Sequence, residues 1–156
     1  MTTVKGPLGD KARRVTGDAL QAALVDVLDL SLTAKQAHWN LLGTNFRSLH
    51  LQLDEIVTAA RGFADDLAER AVALGVTPDG RAGTIAKSTE IKQLSDGWVQ
   101  DREVVSHFVQ LFEELVGRMR ERIEATAEPD PISQDLLITV TAELEKQSWM
   151  LQAQHQ

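Results

Sequence analysis

Cysteine is absent from the 156 residues, so disulfide scaffolds, thiolate metal sites and cysteine nucleophiles are excluded. Tyrosine is absent as well, and the aromatics are limited to three Trp and four Phe. Only four prolines interrupt the chain. No apolar run approaches the length of a membrane span, and the opening residues, Met1 to Pro7, contain no apolar signal-peptide core. These features lead to the expectation of a cytoplasmic protein with no membrane partner. Hydrophobic residues make up 43% and charged residues 25%, which suits one domain with a sizeable core.

The net charge of −7 is unevenly placed. Lys5, Lys11, Arg13 and Arg14 outnumber Asp10 in residues 1–16, leaving that segment at +3 and the remainder at −10. An acidic body attracts cations and repels phosphate. The basic segment reads as a flexible N-terminal arm: either a solubilising tail or a DNA contact.

The apolar spacing predicts an all-α fold of four long helices and no strand. The first helix is expected from Thr16 or Asp18 to Asn40. On it Asp18, Asp26, Asp29, Thr33 and Gln36 share an arc of about 80°, opposite Leu20, Leu24, Val27, Leu28, Ser31, Ala34 and His38. Asn45 is the expected cap of the second helix, which spans Phe46–Leu74 and ends at Gly75. The third runs over Asp96–Thr126 and the fourth over Ser133–Gln152, with Pro129 and Pro131 between them. Residues 75–95 form a long link, with one small helix expected near Ile91–Leu94. One long crossover between helices two and three gives the ferritin-like arrangement of a four-helix bundle. The bundle is assigned to residues 17–152, with a short tail at 153–156.

His50, Asp54, Asp65 and Glu69 lie on the second helix as two i,i+4 pairs, within an arc of about 100°. Imidazole with carboxylates suits a first-row divalent ion. Asp54 and Asp65 are separated by roughly 16 Å of helix rise, whereas metal–ligand bonds are about 2 Å. An antiparallel second copy crossing between Ala59 and Ala60 would bring Asp54 against Asp65 and His50 against Glu69. Thr58 and Gly62 are small enough for that approach; Arg61 must turn aside or pair with an acid. His38, on the inward face of the first helix, is a candidate to close the set. Spacing alone leaves open a metal centre or an ordinary solvated face.

The stretch Lys35-Gln36-Ala37-His38-Trp39-Asn40, with Gly43, Phe46, Leu49-His50 and Leu53-Asp54-Glu55, followed by Asp65, Ala68, Glu69 and Arg70, resembles the signature of the Dps family, the DNA-binding proteins from starved cells. The resemblance implies a ferritin-like miniferritin that assembles into a hollow dodecamer. It implies ferroxidase sites between two-fold-related subunits, with iron held by His38, His50 and Asp54 of one chain and Asp65 and Glu69 of the other, beside Trp39. It implies Fe(II) oxidation by hydrogen peroxide or oxygen, with ferric iron stored in the cage. Acidic pores in this family correspond to Glu128, Asp130 and Asp135, which otherwise read as acids complementing a helix N-terminus. Ordinary ferritins use Glu-x-x-His motifs, and the sequence contains none. The alternative functions are chromosome compaction through Lys5, Lys11, Arg13 and Arg14, and a metal-free helical scaffold.

Overall fold

The computed structural model describes residues 4–154. Its elements are α1 (Asp10–Asn40), β1 (Leu41–Leu42), α2 (Phe46–Ala73), α3 (Ala82–Ser88), β2 (Val99–Gln100), α4 (Asp101–Thr126) and α5 (Pro131–Gln152). The helices α1, α2, α4 and α5 form the expected ferritin-like bundle, and residues 75–100 make the crossover. No helix among the described residues is long and apolar enough to cross a membrane.

The apolar stripes meet in one core. Leu20, Val27 and Leu30 of α1 pack with Leu49, Leu53 and Leu67 of α2, Phe108, Phe112 and Leu115 of α4, and Leu137 and Val140 of α5, all almost fully buried. Such burial contributes about 1.5–3 kcal/mol for each large side chain. Helix α2 stops at Gly75, whose φ of 75° suits glycine; the N–H of Val76 donates to the carbonyl of Ala71 across that turn. Gly43 has a φ of 132°, and a Cβ there would lie 2.3 Å from the Asp101 carboxylate. The α1–α2 turn therefore requires glycine.

Several boundaries differ from those read in the sequence. Helix α1 begins at Asp10, with Gly9 at its N-cap position, rather than at Thr16 or Asp18. Residues 10–16 are thus helical rather than a flexible arm. Thr16 is fully buried there, and Gly17 sits under the side chain of Val76, so tertiary packing extends the helix past the sequence signal. Of the terminal segments, residues 1–3 and 155–156 lie outside the described residues.

The short helix is at Ala82–Ser88 instead of Ile91–Leu94. The Asp79 carboxylate initiates it by accepting from the Arg81 N–H and the Thr84 hydroxyl, while Ile91 is buried in the core as part of a non-helical segment. Helix α4 begins at Asp101, not Asp96, because Val99–Gln100 forms a small parallel pairing with Leu41–Leu42; two short strands thus exist where none was expected. Asn45 does not cap α2 through its side chain. Its N–H donates instead to Asp101 Oδ2 at 2.9 Å. Helix α5 starts at Pro131, where the missing N–H costs no intrahelical bond.

Part of the polar arc of α1 is covered, while Asp18 and Gln36 at its edge stay exposed. Asp26, Asp29 and Thr33 are buried. Asp26 receives Arg118 at 2.9 Å and Arg122 at 2.7 Å, and Asp29 accepts from the Thr89 hydroxyl.

Candidate metal centre

Two bundle helices bring three of the five expected ligands near one another without forming a metal-holding group by themselves. His38 lies in the last turn of α1; His50 and Asp54 lie one turn apart near the start of α2. The imidazoles of His38 and His50 stack with centroids 3.6 Å apart and planes inclined by 16°. Each ring is fixed by a reciprocal bond: His38 Nδ1 reaches the His50 carbonyl at 2.7 Å, and His50 Nδ1 reaches the His38 carbonyl at 2.9 Å. A carbonyl only accepts, so each Nδ1 carries the proton and each Nε2 keeps its lone pair. This tautomer and its carbonyl support are what a metal-ligating histidine requires. Phe46 packs on the other face of His50, with centroids 4.9 Å apart.

Asp54 is half exposed. It accepts a hydrogen bond from the Lys35 ammonium, and its Oδ1 lies 3.9 Å from His38 Nδ1. The Lys35 hydrogen bond, with the Lys35 charge, outweighs desolvation and holds the Asp54 carboxyl below its ordinary range.

Asp65 and Glu69 are exposed further along α2. From Asp54 to Asp65 the helix rises roughly 16 Å, so the chain does not bring these two acids to the histidines. Among the described residues no group of three or more His, Asp or Glu is placed to hold a metal ion within one chain. Trp39 is 62% exposed beside His38.

The other expected residues divide. Glu128 and Asp135 are exposed. Asp130 is not a free pore acid: it is buried, with Arg70 at 2.7 Å and the Ser133 hydroxyl donating to the same oxygen. Burial pushes its carboxyl up, but Arg70 and Ser133 prevail and leave it below the ordinary value. Lys5, Lys11 and Arg14 are exposed, whereas Arg13 is half-buried and pairs with Asp10 at 2.7 Å. The site contacts of Lys35 and Phe46 were not anticipated from sequence. The one available signal for Lys35 is its place one helical turn before His38.

A model of the ferritin-like domain matches residues 17–156. The DNA protection during starvation protein of Mycolicibacterium smegmatis is 38% identical over 154 residues, covering 97% of this chain and 82% of that protein. DNA protection during starvation protein 2 of Deinococcus radiodurans is 35% identical over 135 residues, covering 86% of this chain; the match spans only 56% of that longer protein. The solved Mycobacterium smegmatis Dps in its tetragonal form superposes with a TM-score of 0.93 at 34% identity, over 99% of this chain and 93% of that one. The chain belongs to the Dps family. As a Dps-family miniferritin it carries the ferritin-like bundle without an intrachain Glu-x-x-His site. Its histidine pair lies at the end of the bundle where α1 turns into α2.

Proposed function

We propose that two copies of this chain build a centre between them that oxidises Fe(II), and that the ferric product is stored inside a homo-oligomeric shell, a dodecamer. The reading is carried by the stacked His38–His50 pair, whose Nε2 atoms are both left as lone-pair donors by their Nδ1 bonds. Asp54 adds one carboxylate. Asp65 and Glu69 of a second copy would complete the set, and iron is the substrate they hold.

Exposure along α2 supports the pairing. Arg47, Leu51, Thr58, Arg61, Asp65 and Val72 lie along one exposed stripe. Two pairs of that stripe, Arg47 with Val72 and Thr58 with Arg61, are equidistant from the point between Ala59 and Ala60, as an antiparallel self-crossing requires. Gly62 also lies at this crossing, and a Cβ there would meet nothing within the chain.

Hydrogen peroxide is the proposed oxidant, with oxygen as the other candidate. Two Fe(II) ions each give one electron to one peroxide; its O–O bond breaks, and two protons convert it to two waters. The redox chemistry belongs to iron, and the protein binds and positions it. Consuming both reagents in a two-electron step would protect DNA and cell in the cytoplasm. Glu128 and Asp135 are proposed to draw cations towards an entry pore.

The test is anaerobic Fe(II) loading followed by peroxide, reading ferric absorbance. His50→Ala and Asp54→Asn should each slow oxidation by about ten- to a hundredfold or more, the range seen for lost support of metal ligands. Unchanged rates in both would remove the centre from these residues. DNA contact through Lys5, Lys11 and Arg14 is a second reading, favoured by the exposure of these side chains. The acidic remainder of the chain opposes it.

A further inference from the structure

We propose that Lys35 is an internal competitor for the metal centre: its ammonium neutralises Asp54 in the metal-free half-site and must leave before a divalent ion takes that carboxylate. The inference rests on the metal-centre reading above and concerns a residue that supplies no ligand. Lys35 precedes His38 by one turn of α1, and its Nζ donates to Asp54 Oδ1. The Lys35 side chain is only 25% exposed, so the charge is held in the half-site rather than left in bulk water.

His38 cannot replace it. Its Nδ1 donates to the His50 carbonyl at 2.7 Å and stands 3.9 Å from the Asp54 oxygen. Lys35 is therefore the lysine or arginine that balances Asp54 among the described residues.

An ammonium and a divalent ion on one carboxylate repel each other strongly at such short range. The ion has the histidine nitrogens and further carboxylates to hold it, so the Lys35 pair is the contact that gives way. Before metal arrives, the pair offsets repulsion where Asp54, Asp65 and Glu69 converge across the two copies. After it arrives, the returning ammonium favours release. Lys35 is thus a positioning residue that lowers affinity and keeps the half-site ordered.

The test is Zn(II) titration of the assembled full-length protein by calorimetry at one pH, with Zn(II) as a redox-inert probe and circular dichroism confirming the fold. Lys35→Met removes the charge and keeps the stem; it should bind Zn(II) about three- to tenfold tighter. Lys35→Arg keeps the charge and should show no such gain. In an Asp54→Asn background Lys35→Met should make no difference, because the contested carboxylate is gone. Weaker or unchanged binding in Lys35→Met overturns the proposal, as does an equal gain in the Asp54→Asn background. Zinc uptake indifferent to His38→Ala and His50→Ala instead overturns the metal-centre reading beneath it, so the two failures are distinct.

Discussion

Asp54 and Asp130 both stand beside a basic side chain, but their surroundings give them different work. Asp54 is half exposed, with a single lysine on one oxygen, and remains available for exchange. Asp130 is enclosed by Arg70 and Ser133 and holds the end of α2 against the start of α5. Asp130→Asn leaves the mostly buried Arg70 guanidinium without its counter-charge, and should lower unfolding stability at neutral pH by about 3 kcal/mol. Because the folded carboxyl lies below the ordinary value of 3.8, its stabilisation is complete above that value and is lost as pH falls through the folded value. The deficit of Asp130→Asn, measured from denaturant midpoints, should therefore narrow below pH 3.8. A deficit that widens on acidification would contradict the assignment. The sequence left Asp130 between a pore acid, implied by the family resemblance, and an acid at a helix N-terminus; it stands at the N-cap position of α5, and its partner Arg70, 60 residues away, leaves no local signal.

The four long helices were legible because each carries an apolar stripe of helical period and three of them end at glycine or proline signals. Their exact starts were less so. Helix α1 gains a turn and a half where Thr16 is buried and Gly17 packs under Val76 of the crossover, a contact no cap residue announces. The polar arc of α1 was placed opposite the apolar face, yet its Asp26 is buried between Arg118 and Arg122 of α4. Asp26→Ala would strand two largely buried guanidinium groups, at a cost of about 3–5 kcal/mol. Thermal or denaturant unfolding should show this as one of the larger single losses in the protein. A change within about 0.5 kcal/mol, ordinary for a surface site, would mean the network carries no stability.

At the scale of the whole molecule, charge and symmetry carry the remaining claims. The basic residues now divide between an exposed Lys5 and the first turns of α1, so deleting residues 1–16 would remove part of the bundle. Reversing charge in Lys5→Glu, Lys11→Glu and Arg14→Glu together is the cleaner test. Iron oxidation should be unchanged, and any DNA retention in gel shifts should fall, with the wild-type retention steeply salt-dependent. Equal retention at equal salt would exclude these residues as the contact. The candidate site was legible only in halves: spacing separated His50 and Asp54 from Asp65 and Glu69, and His38, a candidate by its inward face, became a ligand through the family resemblance. Lys35 and Phe46 became visible only when α1 and α2 were set side by side.

The central claim is that each centre needs two chains, and co-assembly measures it. One variant lacks His50 and Asp54, the other lacks Asp65 and Glu69, all replaced by Ala. Each alone should be inactive in iron oxidation. Disassembled, mixed equally and reassembled, they form mixed dimers in about half of cases, each with one complete site and one lacking both halves. About a quarter of wild-type activity should return, with mixing verified on tagged chains. Verified mixing without recovery, or substantial activity in either variant alone, would contradict a site shared between chains.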